Sequence, residues 1–325
     1  MKRLTCRCGQ VVYFANHDCA ACGRALAFDP LRLEMASEQQ PGDGLAFCSN
    51  RNSAIRCNWL TADGACLSCR SSETIPALSK PENLDRWRKL EMAKRRLLYD
   101  LLWLGLPVDT NRLRFVFKED RRTNPDVHEE QVNIGHAQGV ITINAAEADE
   151  VYREQMRQQM NEPYRTLLGH FRHESGHYYF DLILDESLRA GARELFGDER
   201  QSYDAALRRH YVDGPRDGWE AEFISSYASA HPAEDWAETW AHYLHIRAVL
   251  ETAAANGLMA AATGDDWQAK FIELAIRLNE VMRSLGLADA YPFVITDRVE
   301  AKIAFVHRVV SGCTSRRDAP WPGAG

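Results

Sequence analysis

Two histidines four residues apart, His173 and His177, enclose a glutamate in the run His173-Glu174-Ser175-Gly176-His177. On a helix, positions i and i+4 project from one face, so both imidazoles can reach one metal ion. Glu174, beside the first histidine, is placed to take a proton from a zinc-activated water and return it to a leaving amine. The plain alternative is a pair of helix histidines satisfied by local hydrogen bonds. A chance HExxH in a chain of this composition has a probability of roughly a few per cent, which favours the chemical reading.

A catalytic zinc usually takes three protein ligands and leaves one position open. The short continuation with a third histidine six residues on is absent, because that residue is Ile183. The run SSYASAHPAEDWAETWAHYLHI, residues 225–246, is the best source of the missing ligand. There His231-Pro232 opens a helix on which Glu234, Glu238 and His242 follow one another by a turn, beside Trp236 and Trp240. A carboxylate among apolar neighbours is costly to bury without a partner. Spacing alone leaves both Glu234 and Glu238 open as the ligand. His170, one turn before His173, and His136, ahead of the second strand, are candidates for substrate contact, although a lone histidine is more often structural.

Eight of the nine cysteines precede residue 70, in two groups. Cys6, Cys8, Cys19 and Cys22 form one; Cys48, Cys57, Cys66 and Cys69 form the other. Four thiolates around one ion is the closed arrangement of structural zinc, with no vacant position for chemistry. Three zinc ions are therefore expected, one catalytic and two structural, the latter replacing a core that so small a segment lacks. Interleaved pairing between the two groups stays open, and the spacing is not a ferredoxin run. Cys313 is expected as a buried free thiol.

The elements that must position these residues change character at Leu84. Before it the chain shows no sustained helical period, and QQPGDG at 39–44 reads as a loop between the cysteine groups. From Leu84 an amphipathic helix runs to Gly105, with strands expected at 112–120 and 139–145. Helices follow at about 146–161, 163–184, 187–196, 199–211, 217–229, 232–255, 266–285 and 296–311, with Asn161 as cap and Pro163 in the first turn of the histidine helix. The expected fold class is α+β: a double zinc-ribbon-like module at 1–80, a mostly helical domain with a small sheet at 81–315, and a flexible tail at 316–325.

The formal charge of −7 argues against a generally nucleic-acid-binding surface. Residues 1–82 carry nine Lys/Arg and eight Asp/Glu, a net of +1, which falls to about −3 once eight thiolates hold two Zn²⁺. The cluster Arg86, Arg88, Lys89, Lys94, Arg95 and Arg96 reads as the solvated face of its helix. No apolar run is long enough for a membrane helix, and MKRLTCRCGQ lacks the apolar region of a signal peptide, so a cytoplasmic protein without membrane contact is expected.

SYASAHPAEDWAE resembles the corresponding stretch of the gluzincin metallopeptidases, especially the catalytic domain of anthrax lethal factor and its bacterial relatives. The resemblance implies a zincin, gluzincin-like domain with Glu234 as third ligand and Tyr227 as the hydroxyl that stabilises the oxyanion. It further implies Glu238 as the partner behind a ligand histidine, and Asp181 as an acid matching that group, equally readable as a solvated helix residue. It would make GVITIN the edge strand that pairs with an extended substrate. Over nearly its whole length the chain also resembles a bacterial family of zinc-binding metallopeptidases with an N-terminal zinc ribbon. That likeness rests on CRCG, CAACG, RCNWL, WRKLEMAKRRLLYDLLWLGLP, GVITINAAEAD, YRTLLGHFRHESGHYYFD, HPAEDWAETWAHYLHI and YPFVIT. One departure is local: Cys6-x-Cys8 is tighter than the CxxC usual in such ribbons.

The leading reading is a zinc-dependent hydrolase of peptidase type, taking a protein or peptide substrate and no nucleic acid. Its alternatives are a DNA-linked protease or nucleic-acid-binding ribbon protein, and a catalytically idle zinc scaffold. Substrate specificity and oligomeric state are not encoded in any motif.

Overall fold

Three short antiparallel ribbons build the cysteine-rich start: β1 (Leu4–Thr5) with β2 (Val11–Val12), β3 (Ala27–Asp29) with β4 (Glu34–Ala36), and β5 (Ala46–Phe47) with β6 (Leu60–Thr61). The computed structural model describes residues 1–36, 44–160, 162, 164–262 and 264–314. Most of the expected QQPGDG loop, the Asn161 cap, Pro163 and the expected tail at 316–325 lie outside them. The chain divides into two units, Lys2–Phe171 and the residues from Arg172 onward together with Met1. No helix of the described residues is long and apolar enough to cross a membrane.

In the first unit a one-turn helix α1 (Leu67–Arg70) and strand β7 (Ser72–Thr74) lead to the long helix α2 (Pro81–Trp103), with Pro81 in its first turn. The ribbon segment is not without a core. Phe14, Phe28 and Trp59 pack on one another at ring separations of 4.9 to 6.3 Å, Phe14 and Phe28 each lie 5.7 Å from Tyr99 of α2, and Phe28, Trp59 and Tyr99 are fully buried. The cysteine clusters therefore add to an aromatic core here rather than standing in for one. Two of the basic residues of α2 also depart from the solvated face expected of them. Lys94 is fully buried against Glu91 at 2.9 Å, and Arg95 is 5% exposed.

The sheet of this unit has the order β7, β8 (Arg114–Lys118), β10 (Val140–Asn144), β9 (Gly135–Ala137). β8 runs parallel to β7 and β10, while β9 pairs antiparallel with β10. The GVITIN strand is thus paired on both sides, and the edge next to it is β9. The expectation of a free edge at GVITIN is overturned, because its backbone groups are already spent on two neighbours. Helix α3 (Glu150–Gln159) follows.

The second unit is helical: most of α4 (Leu167–Ile183), then α5 (Glu186–Phe196), α6 (Tyr203–Asp213), α7 (Pro232–Ala255), α8 (Trp267–Ser284) and α9 (Asp297–Thr314). α4 starts four residues later than expected, where the Thr166 hydroxyl accepts from the Gly169 amide at 2.9 Å. The helix expected at 217–229 is instead two 3-10 turns, Trp219–Ala221 and Tyr227–Ala230. Gly218 holds a left-handed backbone (φ 70°) at the first, and the Ser225 hydroxyl takes the Ala228 amide at the second.

Candidate metal centre

The ligand helices α4 and α7 are locked together by close approach. The Trp236 indole donates to the Gly176 carbonyl at 2.9 Å, and the Trp240 indole to the Ser175 hydroxyl at 3.0 Å. Trp240 stacks on Tyr179 with ring centres 5.0 Å apart. Gly176 is the hinge of this fit, since a Cβ there would lie 2.9 Å from the Ala237 Cα and 3.1 Å from the Trp240 Cβ. The start of α7 is equally defined. His231 caps it by accepting the Ala233 amide at 3.0 Å, Pro232 follows, and Glu234 sits in the first turn, where a carboxylate suits the helix dipole.

This packing aims three side chains at one point. Glu234, only 1% exposed, has Oε2 at 3.0 Å from His173 Nε2 and Oε1 at 3.5 Å from His177 Nε2. One ligand atom of each residue lies within 4.8 Å of the others. A tetrahedral ion with ligands at about 2.0–2.1 Å has an edge of roughly 3.3 Å, which these two separations of 3.0 and 3.5 Å bracket. Burial would raise the Glu234 carboxyl, but the bonds to His173 and His177 outweigh it and hold the group well below its ordinary range. An ionised carboxylate facing two imidazole nitrogens is a donor set that fits zinc.

Glu238 stands behind the site, one turn beyond Glu234. Its Oε1 is 2.6 Å from His173 Nδ1, and its Oε2 accepts from the Ser225 hydroxyl at 2.6 Å. With Nδ1–H donating to Glu238, the Nε2 lone pair of His173 faces Glu234 and the common point. Glu174 is buried at 6% exposure. The Tyr227 ring lies 6.0 Å from that of His173, and burial, then Glu234 and Tyr203, push its phenol well above the usual range. Motif reasoning missed two contributors. Tyr203 donates to Glu234 Oε1 at 2.7 Å from 31 residues upstream, and no sequence signal marked it. Ser225 lies within the run already singled out, but a lone serine carries no pattern.

Other expected residues have partners of their own. The Asp181 side chain is 71% exposed and pairs with Arg189 at 3.4 Å, the solvated position rather than one behind a ligand histidine. His242, on the same stripe as the glutamates, is hydrogen-bonded through Nδ1 to the Tyr291 hydroxyl at 2.8 Å, and burial brings it down to about 4. His170 and His136 belong to the first unit. His170 pairs with Glu147 at 3.2 Å, and His136 accepts the Gly139 amide at 3.0 Å within the β9–β10 turn.

The cysteines gather in the two sets expected, without interleaving. Cys6 and Cys22 sulfurs are 3.7 Å apart, as are Cys8 and Cys19; Cys48–Cys69 is 3.6 Å and Cys57–Cys66 is 3.5 Å. A disulfide would need about 2.05 Å. Four sulfurs at about 2.3 Å from one zinc stand roughly 3.8 Å apart, close to all four distances. The tight Cys6-x-Cys8 pair still brings both thiols within 4.8 Å of each other and of Cys19 and Cys22.

A family model described as "Putative zinc-binding metallo-peptidase" matches residues 83–309, and a zinc-ribbon domain model matches residues 3–80. Proteins of Mycobacterium bovis and of two strains of Mycobacterium tuberculosis, each called an uncharacterized protein, are 43% identical over 326 residues. Those alignments cover 93% of this chain and 93% of each relative. No solved structure matches the chain significantly. With the larger match spanning well over half of the sequence and the ribbon model covering its start, the chain belongs to this zinc-binding metallopeptidase family.

Proposed function

We propose that the chain is a zinc-dependent peptidase of the HExxH, gluzincin type, with His173, His177 and Glu234 holding the catalytic ion. The observation that carries this is the convergence of two imidazole nitrogens and a buried carboxylate, at 3.0 and 3.5 Å, beside a buried glutamate. When bound, zinc supplies a Lewis acid that polarises a scissile carbonyl and makes water a nucleophile near neutral pH. Glu174 takes the proton from that water and delivers it to the leaving amine. The Tyr227 phenol, a donor in its neutral form, is assigned to the negative charge that develops on the carbonyl oxygen. Glu238, steadied by Ser225, fixes the tautomer and ring angle of His173, and Tyr203 orients Glu234. The eight cysteines hold two structural zinc ions, and the reaction is placed in the cytoplasm on a protein or peptide.

The test is Glu174→Gln assayed against a quenched-fluorescent peptide library. The reading expects turnover to fall by about 10²–10⁴-fold with zinc content unchanged. Equal turnover by the variant would mean that the site does not hydrolyse peptides through this glutamate.

A further inference from the structure

A second constellation lies in the first unit, among the ribbon segment and α2. It is a pocket of about 260 Å³ whose charged lining is cationic: Arg56, Arg88 and Arg95, with no carboxylate among the residues that line it. Arg95 is 5% exposed, and its Nη1 is fully buried with no hydrogen-bond acceptor among the described residues. Its charge faces the Cys57 thiol of the neighbouring cysteine cluster, but the fold itself leaves this buried N–H donor unmet. Native interiors rarely keep such a group without a ligand to meet it.

The other two arginines point to the same chemistry. Arg56 holds a left-handed backbone at φ 43°, a conformation that favours glycine and that an arginine adopts at a cost. Arg88 gives its Nε to the Ala54 carbonyl at 3.0 Å, and its one acidic neighbour, Asp85, is 3.8 Å away in a half-exposed pair. Phe14, Ile55 and Met92 add apolar wall. Arginine forks match the oxygens of phosphate and carboxylate groups, and three of them together suit a doubly charged anion.

We propose that this pocket binds a small organic phosphate monoester, its phosphoryl oxygens on Arg95, Arg56 and Arg88 and its apolar part on Phe14, Ile55 and Met92. The volume lies just below the usual range of ligand pockets, roughly 300–1,000 Å³, and suits a one-ring or few-carbon anion. The pocket is lined by residues of the first unit alone, and the proposal does not depend on the peptidase reading.

The test is calorimetric titration of the full, zinc-loaded protein with phenyl phosphate, with inorganic phosphate and benzoate as further arms. Phenyl phosphate is expected to bind in one-to-one stoichiometry, more tightly than inorganic phosphate or benzoate. Arg95→Met, which keeps the apolar stem, is expected to weaken it by about tenfold or more. Arg56→Gly removes a second charge at a backbone angle that glycine prefers, so it tests the site even where Arg95→Met does not fold. No binding of phenyl phosphate at millimolar concentration, or equal affinity in wild type and both variants, overturns the proposal. So does tighter binding of benzoate, or of a short oligonucleotide lost in the same variants, since the pocket would then serve a carboxylate or a nucleic-acid backbone.

Discussion

Replacing Gly176 by alanine is expected to loosen the metal centre without touching a ligand. The added Cβ would stand 2.9 Å from the Ala237 Cα, 3.1 Å from the Trp240 Cβ and 3.2 Å from its Cδ1. The first two atoms cannot rotate aside, so α4 and α7 must separate by a few tenths of an ångström or more. Overpacking of this kind costs about 1–3 kcal/mol, and fixed obstacles place it near the upper end. Alanine recovers about 1 kcal/mol of helix propensity, leaving a net loss of about 2 kcal/mol. For a unit of this size that is a fall of about 4–8 °C in melting temperature. The same movement draws Glu234 on α7 away from His173 and His177 on α4. Thermal melts with chelator competition are the assay, and Gly176→Ala should surrender one zinc more readily than wild type while keeping the ribbon ions. A variant that melts at or above the wild-type temperature and holds its zinc equally well refutes the claim that this close contact sets the ligand geometry.

Four further outcomes follow from the same packing and electrostatics. Gly312→Ala, on α9 with nothing within 4 Å of the new Cβ, should stabilise by up to about 1 kcal/mol, the opposite sign from Gly176→Ala, as read by denaturant unfolding. Glu238→Gln should weaken the catalytic zinc by about 10–100-fold in a chelator titration, because His173 loses its ionised partner; an unchanged affinity would exclude that role. Cys66→Ser should release one structural zinc and expose the Phe14–Phe28–Trp59 cluster, seen as a shift in tryptophan emission. Glu147, raised by burial but brought down to about 2 by His170 and Arg165, stabilises the fold above its unfolded value of 4.5. The stability difference between wild type and Glu147→Gln, at most about 3 kcal/mol, should therefore shrink as pH falls from 4.5 toward 2.

How far the sequence could be read depended on whether the physics was local. α7 occupies the expected 232–255 because a His-Pro start, acidic first turn and long helix-forming run all agree. The eight cysteines sort correctly because tetrahedral thiolate ligation leaves few spacings. Residues 217–229 failed because Ser225 spends its hydroxyl on the Ala228 amide and Glu238, an arrangement set by a neighbouring helix and invisible in propensity. Strands β7 and β9, three residues each, are too short to show alternation. Lys94 looked solvated because its partner Glu91, one turn away on the same helix, is equally what a solvated face shows, whereas Ser72 and the burial of the pair appear only in three dimensions. Tyr203 was missed for the same reason: its bond to Glu234 depends on where α6 starts, not on any motif. Such contacts are products of the assembled fold.

Anomalous diffraction at the zinc edge, on crystals of the full chain, tests the central claim most directly. Three peaks are expected, two within the cysteine clusters and one bonded to His173 Nε2, His177 Nε2 and the Glu234 carboxylate, with no fourth protein ligand. Only two peaks, a closed third site, or a Glu238 oxygen nearer the ion than Glu234 would contradict the account.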